Sequence, residues 1–247
     1  MGPGTGQMGL IGSIGLIGMA LGAVVSGTIA DRIGRKKVFT ITVLLYSIAS
    51  AFCALSWNYQ SLLVFRFLVG FGLGGELPVA ATLVSEYAPS RVRGRFIVLL
   101  ESFWGLGWIA AACIAYFFIP LYGWRMAFLI GALPALYVCL IRMHMPESVR
   151  YLLAHGRIGE ARQIVVSLER QLHVPVAPFV SEKETVPVVA KASFRELWKK
   201  PFASRTIMLW LVWFGINFSY YGIFMWLPSL VFQQGFTVVK TLNTSSS

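Results

Sequence analysis

Apolar residues in this chain come in long blocks, and short charged stretches separate the blocks. Reading apolar runs of about 20 residues as membrane-spanning helices predicts six, at about 8–30, 38–56, 62–87, 96–119, 124–143 and 206–232. The aqueous stretch 144–205 differs in kind. Within it, Glu147–Leu172 alternates apolar and charged residues at helical spacing, which predicts short amphipathic helices on a membrane surface. Pro175, Pro178 and Pro187 then break the pattern and mark a linker. Ser193, with Glu196 three residues on, reads as a capping box opening a helix that contains Trp198 and leads into the last span. The expected organisation is a helical membrane domain at 1–143, surface helices and linker at 144–205, and a final span with a polar tail at 206–247.

Composition agrees with an all-α, polytopic membrane protein. Of 247 residues, 57% are hydrophobic and 13% charged, with a mean hydropathy of +0.70, whereas soluble domains run nearer 25% charged. A net charge of +11 could point to nucleic acid, but its distribution argues otherwise. Of the 21 Lys and Arg residues, 18 lie in 31–37, 88–95 and the stretch from Arg142 to Arg205. The loops near Trp57–Ser61 and Pro120–Gly123 carry no charge. This alternation is the positive-inside signature, so the plasma membrane is the expected location, with 31–37, 88–95 and 144–205 cytoplasmic. The lipid bilayer is then the partner, and nucleic acid is not. The same topology puts residues 1–7 on the outer face without the basic region of a signal peptide, and the expectation is that one helix is missing before the first span.

Chemistry-bearing residues are sparse. Cys53, Cys113 and Cys139 sit singly in apolar spans, and His144, His155 and His173 are scattered, so neither a disulfide framework nor a metal site is expected. Without a nucleophile–base pair or a phosphate-cradling glycine loop, no enzyme activity and no cofactor is expected. Gly9, Gly12, Gly15, Gly18 and Gly22 of the first span, and Gly70, Gly72, Gly74 and Gly75 of the third, predict close helix crossing. Three charges fall inside spans, where each is costly and usually faces a cavity or a partner: Arg66, Glu76 and Glu101. Arg66 and Glu76 are ten residues apart on one helix, roughly 15 Å, too far to pair directly. Glu76 can carry a proton or bond to a neighbouring helix. Glu101 can do the same or join the cytoplasmic charges, and Arg66 can snorkel to the outer interface. Trp104 and Trp108 share one helix face at i and i+4, and Asn217, Tyr220 and Tyr221 lie near mid-membrane. These aromatics serve either as packing groups or as surfaces for a planar ligand, with the Asn amide beside them.

Four motifs carry a resemblance. Gly27, Asp31, Gly34, Arg35 and Lys36 form the pattern G-x-x-x-D-x-x-G-R-[KR], which resembles the loop between the second and third helices of Major Facilitator Superfamily transporters. Arg66-Phe-Leu-Val-Gly70-Phe-Gly72-Leu-Gly74-Gly75 is similar to that superfamily's fourth-helix motif, and Glu86-Tyr-Ala-Pro-Ser-Arg-Val-Arg-Gly-Arg95 to the turn after it. Pro146-Glu-Ser-Val-Arg-Tyr-Leu152 resembles the P-E-S-P-R-[WY]-L motif of sugar-porter-like members, with Val149 in the proline's place. The runs LLESFWGLGW and WFGINFSYYGIFMWLPSLV look like the niacin permease branch of the superfamily.

The resemblance implies helices two to seven of a twelve-helix carrier, with missing transporter helices as partners. It implies secondary active, proton-coupled transport of a small organic acid, nicotinate or a similar aromatic carboxylate. Arg66, Glu76 and Glu101 are then candidates for proton coupling, and Trp104, Trp108, Asn217, Tyr220 and Tyr221 for substrate binding. Asp31 and Arg35 belong to a gating latch whose acid faces the eleventh helix. Glu86, Arg95, Glu147 and Arg150 form an ion-pair network across the cytoplasmic ends. The competing expectation is a non-transporting membrane fragment that acts through helix association.

Overall fold

A computed structural model describes residues 5–171 and 197–233, and the described residues contain helices and connecting turns only. They divide into two compact units, Met1–Val186 and Pro187–Ser247. The first unit carries α1 (Thr5–Ile33), α2 (Arg35–Ala54), α3 (Tyr59–Tyr87), α4 (Arg93–Tyr122), α5 (Trp124–Ala132), α6 (Pro134–His144), α7 (Val149–Ala154) and α8 (Ile158–Gln171). The second carries α9 (Phe202–Gln233), preceded by a single 3₁₀ turn at Leu197 and Trp198. The capping box at Ser193 and Glu196, the three linker prolines, His173 and the 241–247 tail lie outside the described residues.

Five of the helices are long and apolar enough to cross a membrane: Gly9–Ile33, Arg35–Ala54, Tyr59–Tyr87, Arg93–Tyr122 and Phe202–Ile223. The expected span at 124–143 is not continuous. It is divided into α5 and α6, because Pro134 has no N–H to continue the ladder. Leu133 closes a turn on the Ile130 carbonyl at 3.1 Å, and Leu136 N–H restarts on the Leu133 carbonyl at 2.9 Å. The expected loop at 31–37 is also corrected. Asp31 and Arg32 are still helical, Arg35 already opens α2, and the break is Gly34 alone. Gly34 has φ 105°, a backbone region that only glycine enters cheaply, so one residue turns the chain.

α1 and α3 cross closely at the predicted glycines. A Cβ on Gly18 or Gly22 would run into the backbone of Phe67 or Phe71, and one on Gly70 or Gly74 into that of Gly15 or Met19. Backbone-to-backbone approach of this kind gives dispersion contact where lipid supplies no hydrophobic drive between helices. α3 starts at a reciprocal cap: Asn58 Oδ1 accepts from Ser61 N–H at 2.6 Å, and Ser61 Oγ accepts from Asn58 N–H at 3.3 Å. α2 packs on α3 through Ala49, Cys53 and Val69, and Phe128 of α5 closes over that cluster. At this end Arg125 donates to the Ser56 carbonyl at 3.3 Å and lies over its neighbour's ring, Trp124, at 5.3 Å, tying α5 to the turn before α3. No residue of α4 is buried. α7 and α8 form a small hairpin with its own core of Tyr151, Leu152 and Ala161. Arg157 donates twice to Glu160, at 2.7 and 2.6 Å, and these bonds hold its guanidinium above its ordinary pKa.

Candidate functional site

The densest polar cluster among the described residues lies where α1 gives way to α2, beside the end of α3 and the start of α7. Its logic begins with α2. Gly34 has no side chain to cap that helix, leaving orphan N–H groups at the positive end of a helix dipole. Glu147 supplies the cap from 111 residues away: its Oε1 accepts from Lys36 N–H at 3.1 Å, and also from Ser148 N–H at 3.0 Å. A Cβ on Gly34 would collide with the Glu147 carboxylate. Glycine is therefore needed here for its dihedral angle and for the space.

Arg35 is the first residue of α2, an unfavourable place for a cation next to that dipole. Two carboxylates compensate. Arg35 Nη2 lies 3.2 Å from Asp31 Oδ1 and 3.4 Å from Glu86 Oε1, and its guanidinium stands 6.0 Å from the Tyr151 ring centre. The Glu86 side chain is only 6% exposed and Arg35 15%, whereas Asp31 is 74% exposed. The inner pair thus sits in a drier setting, where losing one partner costs far more than at a surface. Arg35 Nε is buried without a hydrogen-bond partner, so charge and the ring hold the guanidinium without saturating it.

Neutral groups complete the cluster. Tyr87 Oη donates to the Glu147 carbonyl at 2.6 Å, and Tyr151 Oη to the Arg32 carbonyl at 3.1 Å, one of the orphan acceptors at the end of α1. Ser148 Oγ donates to Glu86 Oε2 and accepts from Tyr151 N–H at 3.0 Å, capping α7. His155 ends α7 with Nδ1 3.0 Å from the Tyr151 carbonyl.

Of the residues expected here, the structure brings together Asp31, Gly34, Arg35, Lys36, Glu86 and Glu147. Gly27 lies on α1 with nothing within 4 Å of a Cβ built there. Arg95 and Arg150 stay outside the cluster: both are exposed, and neither has an ion pair among the described residues. The sequence does not single out Tyr87, Ser148 and Tyr151, which the structure adds to the cluster. The available signal was the serine before a six-residue helix, an N-cap position, inside a motif already singled out.

Within the first unit the membrane candidates are dispersed. Arg66 of α3 stands over the Phe128 ring at 5.1 Å, and its Nε is buried without a partner. Glu76, further along α3, is half-buried and within electrostatic reach of Tyr46 of α2. The two make no ion pair. Glu101 is exposed on α4, where Trp104 is half-buried and Trp108 exposed. In the second unit, Asn217 donates to the Trp213 carbonyl at 2.8 Å on its own helix. Tyr220 and Tyr221 meet edge to face at 5.4 Å. Cys53 is buried and Cys113 exposed, while the Cys139 and His144 side chains lie outside the described ones.

Comparison with known proteins gives the family. The family model described as sugar (and other) transporter matches residues 3–241. The niacin transporter NiaP of Acinetobacter baylyi is 60% identical over 237 residues, which cover 95% of this chain and 53% of that protein. The putative niacin/nicotinamide transporter NiaP of Bacillus subtilis is 43% identical, over 95% of this chain and 52% of its own length. The chain spans about half the length of the curated relatives it matches. Among solved structures, the MFS (major facilitator superfamily) proton:xylose symporter XylE superposes with a TM-score of 0.59 at 23% identity, over 66% of this chain and 41% of that one, a likeness of fold alone. The chain belongs to the sugar (and other) transporter family and is a multi-pass membrane protein with the fold of the major facilitator superfamily.

Proposed function

We propose that the protein takes up a small aromatic carboxylate, nicotinate or a close analogue, across the plasma membrane by proton-coupled secondary transport. The observation that carries this reading is the 60% identity to a niacin transporter along 95% of the chain. Intramembrane charge supports the coupling: Arg66, Glu76 and Glu101 sit in apolar spans where ionisable groups are kept for function. An anionic substrate entering with one proton moves without net charge, so a pH gradient alone can drive it. Glu76 is the proposed proton carrier. Arg66 supplies positive charge near one end of α3, and Glu101 a second carboxylate on α4. Trp104, Trp108, Tyr220 and Tyr221 offer ring faces to a planar acid, and Asn217 an amide.

In this reading 31–37, 88–95 and 144–205 face the cytoplasm, and the cluster around Gly34, Arg35, Glu86 and Glu147 is the latch that closes that side. Arg95 and Arg150 join it in another state of the cycle. The test is uptake of labelled nicotinate by cells lacking their own carrier and expressing the intact gene product. Competition by unlabelled benzoate, which keeps the carboxylate and lacks the ring nitrogen, reads the specificity. Saturable uptake that excess nicotinate abolishes is the expected result. Uptake no greater than with empty vector would remove the proposal.

A further inference from the structure

One oxygen joins the two parts of the Gly34 cluster. Ser148 is fully buried. Its Oγ donates to Glu86 Oε2 and accepts the Tyr151 N–H at 3.0 Å. Glu86 in turn holds Arg35 through its other oxygen, at 3.4 Å. The ion pair between α2 and α3 and the first turn of α7 therefore share a single atom. The segment carrying that atom is fastened on both sides, by Tyr87 to the Glu147 carbonyl at 2.6 Å and by Tyr151 to the Arg32 carbonyl at 3.1 Å.

We propose that Ser148 is the positioning residue of the latch, the joint through which the Glu86–Arg35 pair and α7 form and release as one unit during transport. This rests on the carrier reading for its role in turnover, but the joint itself is testable without it. The position demands a group that donates to a carboxylate and accepts from a backbone N–H in a space closed to water. Serine meets both demands, and alanine neither. Aspartate accepts as well as serine does and caps helices equally well, yet it sets a second carboxylate against the buried Glu86. Asparagine has the shape of aspartate, but its Oδ1 accepts and its Nδ2 donates. Comparing Ser148→Asp with Ser148→Asn therefore separates a helix cap from a joint at constant size.

The experiment is hydrogen–deuterium exchange of the intact gene product in detergent or nanodiscs, followed at 35–38, 84–88 and 149–154, with Ser148→Ala as a third variant. The joint predicts that Ser148→Asp and Ser148→Ala raise exchange at 35–38 and 84–88 by about tenfold, as expected from one lost buried hydrogen bond. Ser148→Asn should stay near wild type, and Ser148→Asp should keep the cap's protection at 149–154. Failure of Ser148→Asp to accumulate, with Ser148→Asn folded and protected, has the same meaning. Equal behaviour of the Asp and Asn variants, or wild-type exchange in Ser148→Asp, overturns the joint. In reconstituted vesicles, Ser148→Asp should lose turnover per folded carrier with KM for nicotinate unchanged, because Ser148 touches no substrate. An unchanged turnover would overturn the transport role. If the wild type itself transports no nicotinate, the carrier reading fails while the exchange pattern still decides the joint.

Discussion

Replacing Gly34 by alanine perturbs two things at once, and the structure lets them be separated. The first is backbone strain: φ 105° and ψ 148° lie where a residue with a Cβ pays about 1–3 kcal/mol. The second is steric. The new Cβ would meet the Glu147 carboxylate and come within 3.3 Å of Tyr151 Cε1, pushing Glu147 off the Lys36 N–H that it caps at 3.1 Å. Loss of a helix cap costs about 1 kcal/mol. The two together come to about 2–4 kcal/mol, or at least about 4 °C in Tm for a protein of this size. Thermal unfolding in detergent, read by tryptophan fluorescence, measures it. Glu147→Ala removes both the obstacle and the cap. Gly34→Ala should therefore cost less in that background, leaving the strain and the Tyr151 contact. Wild-type Tm in Gly34→Ala, or the same loss with and without Glu147, would refute the reasoning.

Four further substitutions probe other parts of the molecule. Gly74→Leu drives a side chain into the backbone of Met19 and should cost about 3 kcal/mol, seen as loss of monodisperse protein on size exclusion. Gly105→Leu on α4, where a Cβ meets nothing within 4 Å, should behave as wild type. Arg125→Ala removes the bond to the Ser56 carbonyl and should raise amide exchange at 55–60 by about tenfold, leaving 35–38 unchanged. Glu76→Gln should abolish the pH dependence of nicotinate uptake and leave substrate exchange measurable, and unchanged pH dependence would take Glu76 out of the mechanism.

The spans were legible because burial in lipid imposes long apolar runs, and no competing structure satisfies them. The glycines of α1 and α3 were legible as packing faces for the same reason, although their partners were not. Pro134 shows what an average over 20 residues hides: one missing N–H divides a run that hydropathy reads as a single helix. Its charge marks 31–37 as a loop, whereas every residue of it but Gly34 is helical, with Asp31 and Arg35 paired and the Lys36 N–H capped. The site was half legible. Glu86 and Glu147 stand in motifs and carry charge, so they draw attention. Tyr87, Ser148 and Tyr151 act as neutral donors to partners 60 to 119 residues away, and nothing local in the chain encodes such a meeting. Arg95 and Arg150 carry the right charge, but their geometry turns them to solvent.

In the proposed cycle a proton gradient drives an aromatic carboxylate through this protein. Purified intact gene product in proteoliposomes, loaded at pH 7.5 and diluted to pH 6.5 with labelled nicotinate, tests it directly. The account predicts transient accumulation approaching tenfold for that one-unit gradient if one proton enters with each anion. Collapse of the gradient by a protonophore should abolish the accumulation, and Glu76→Gln should prevent it. Equilibration to the outside concentration alone, unaffected by the gradient, would contradict the account.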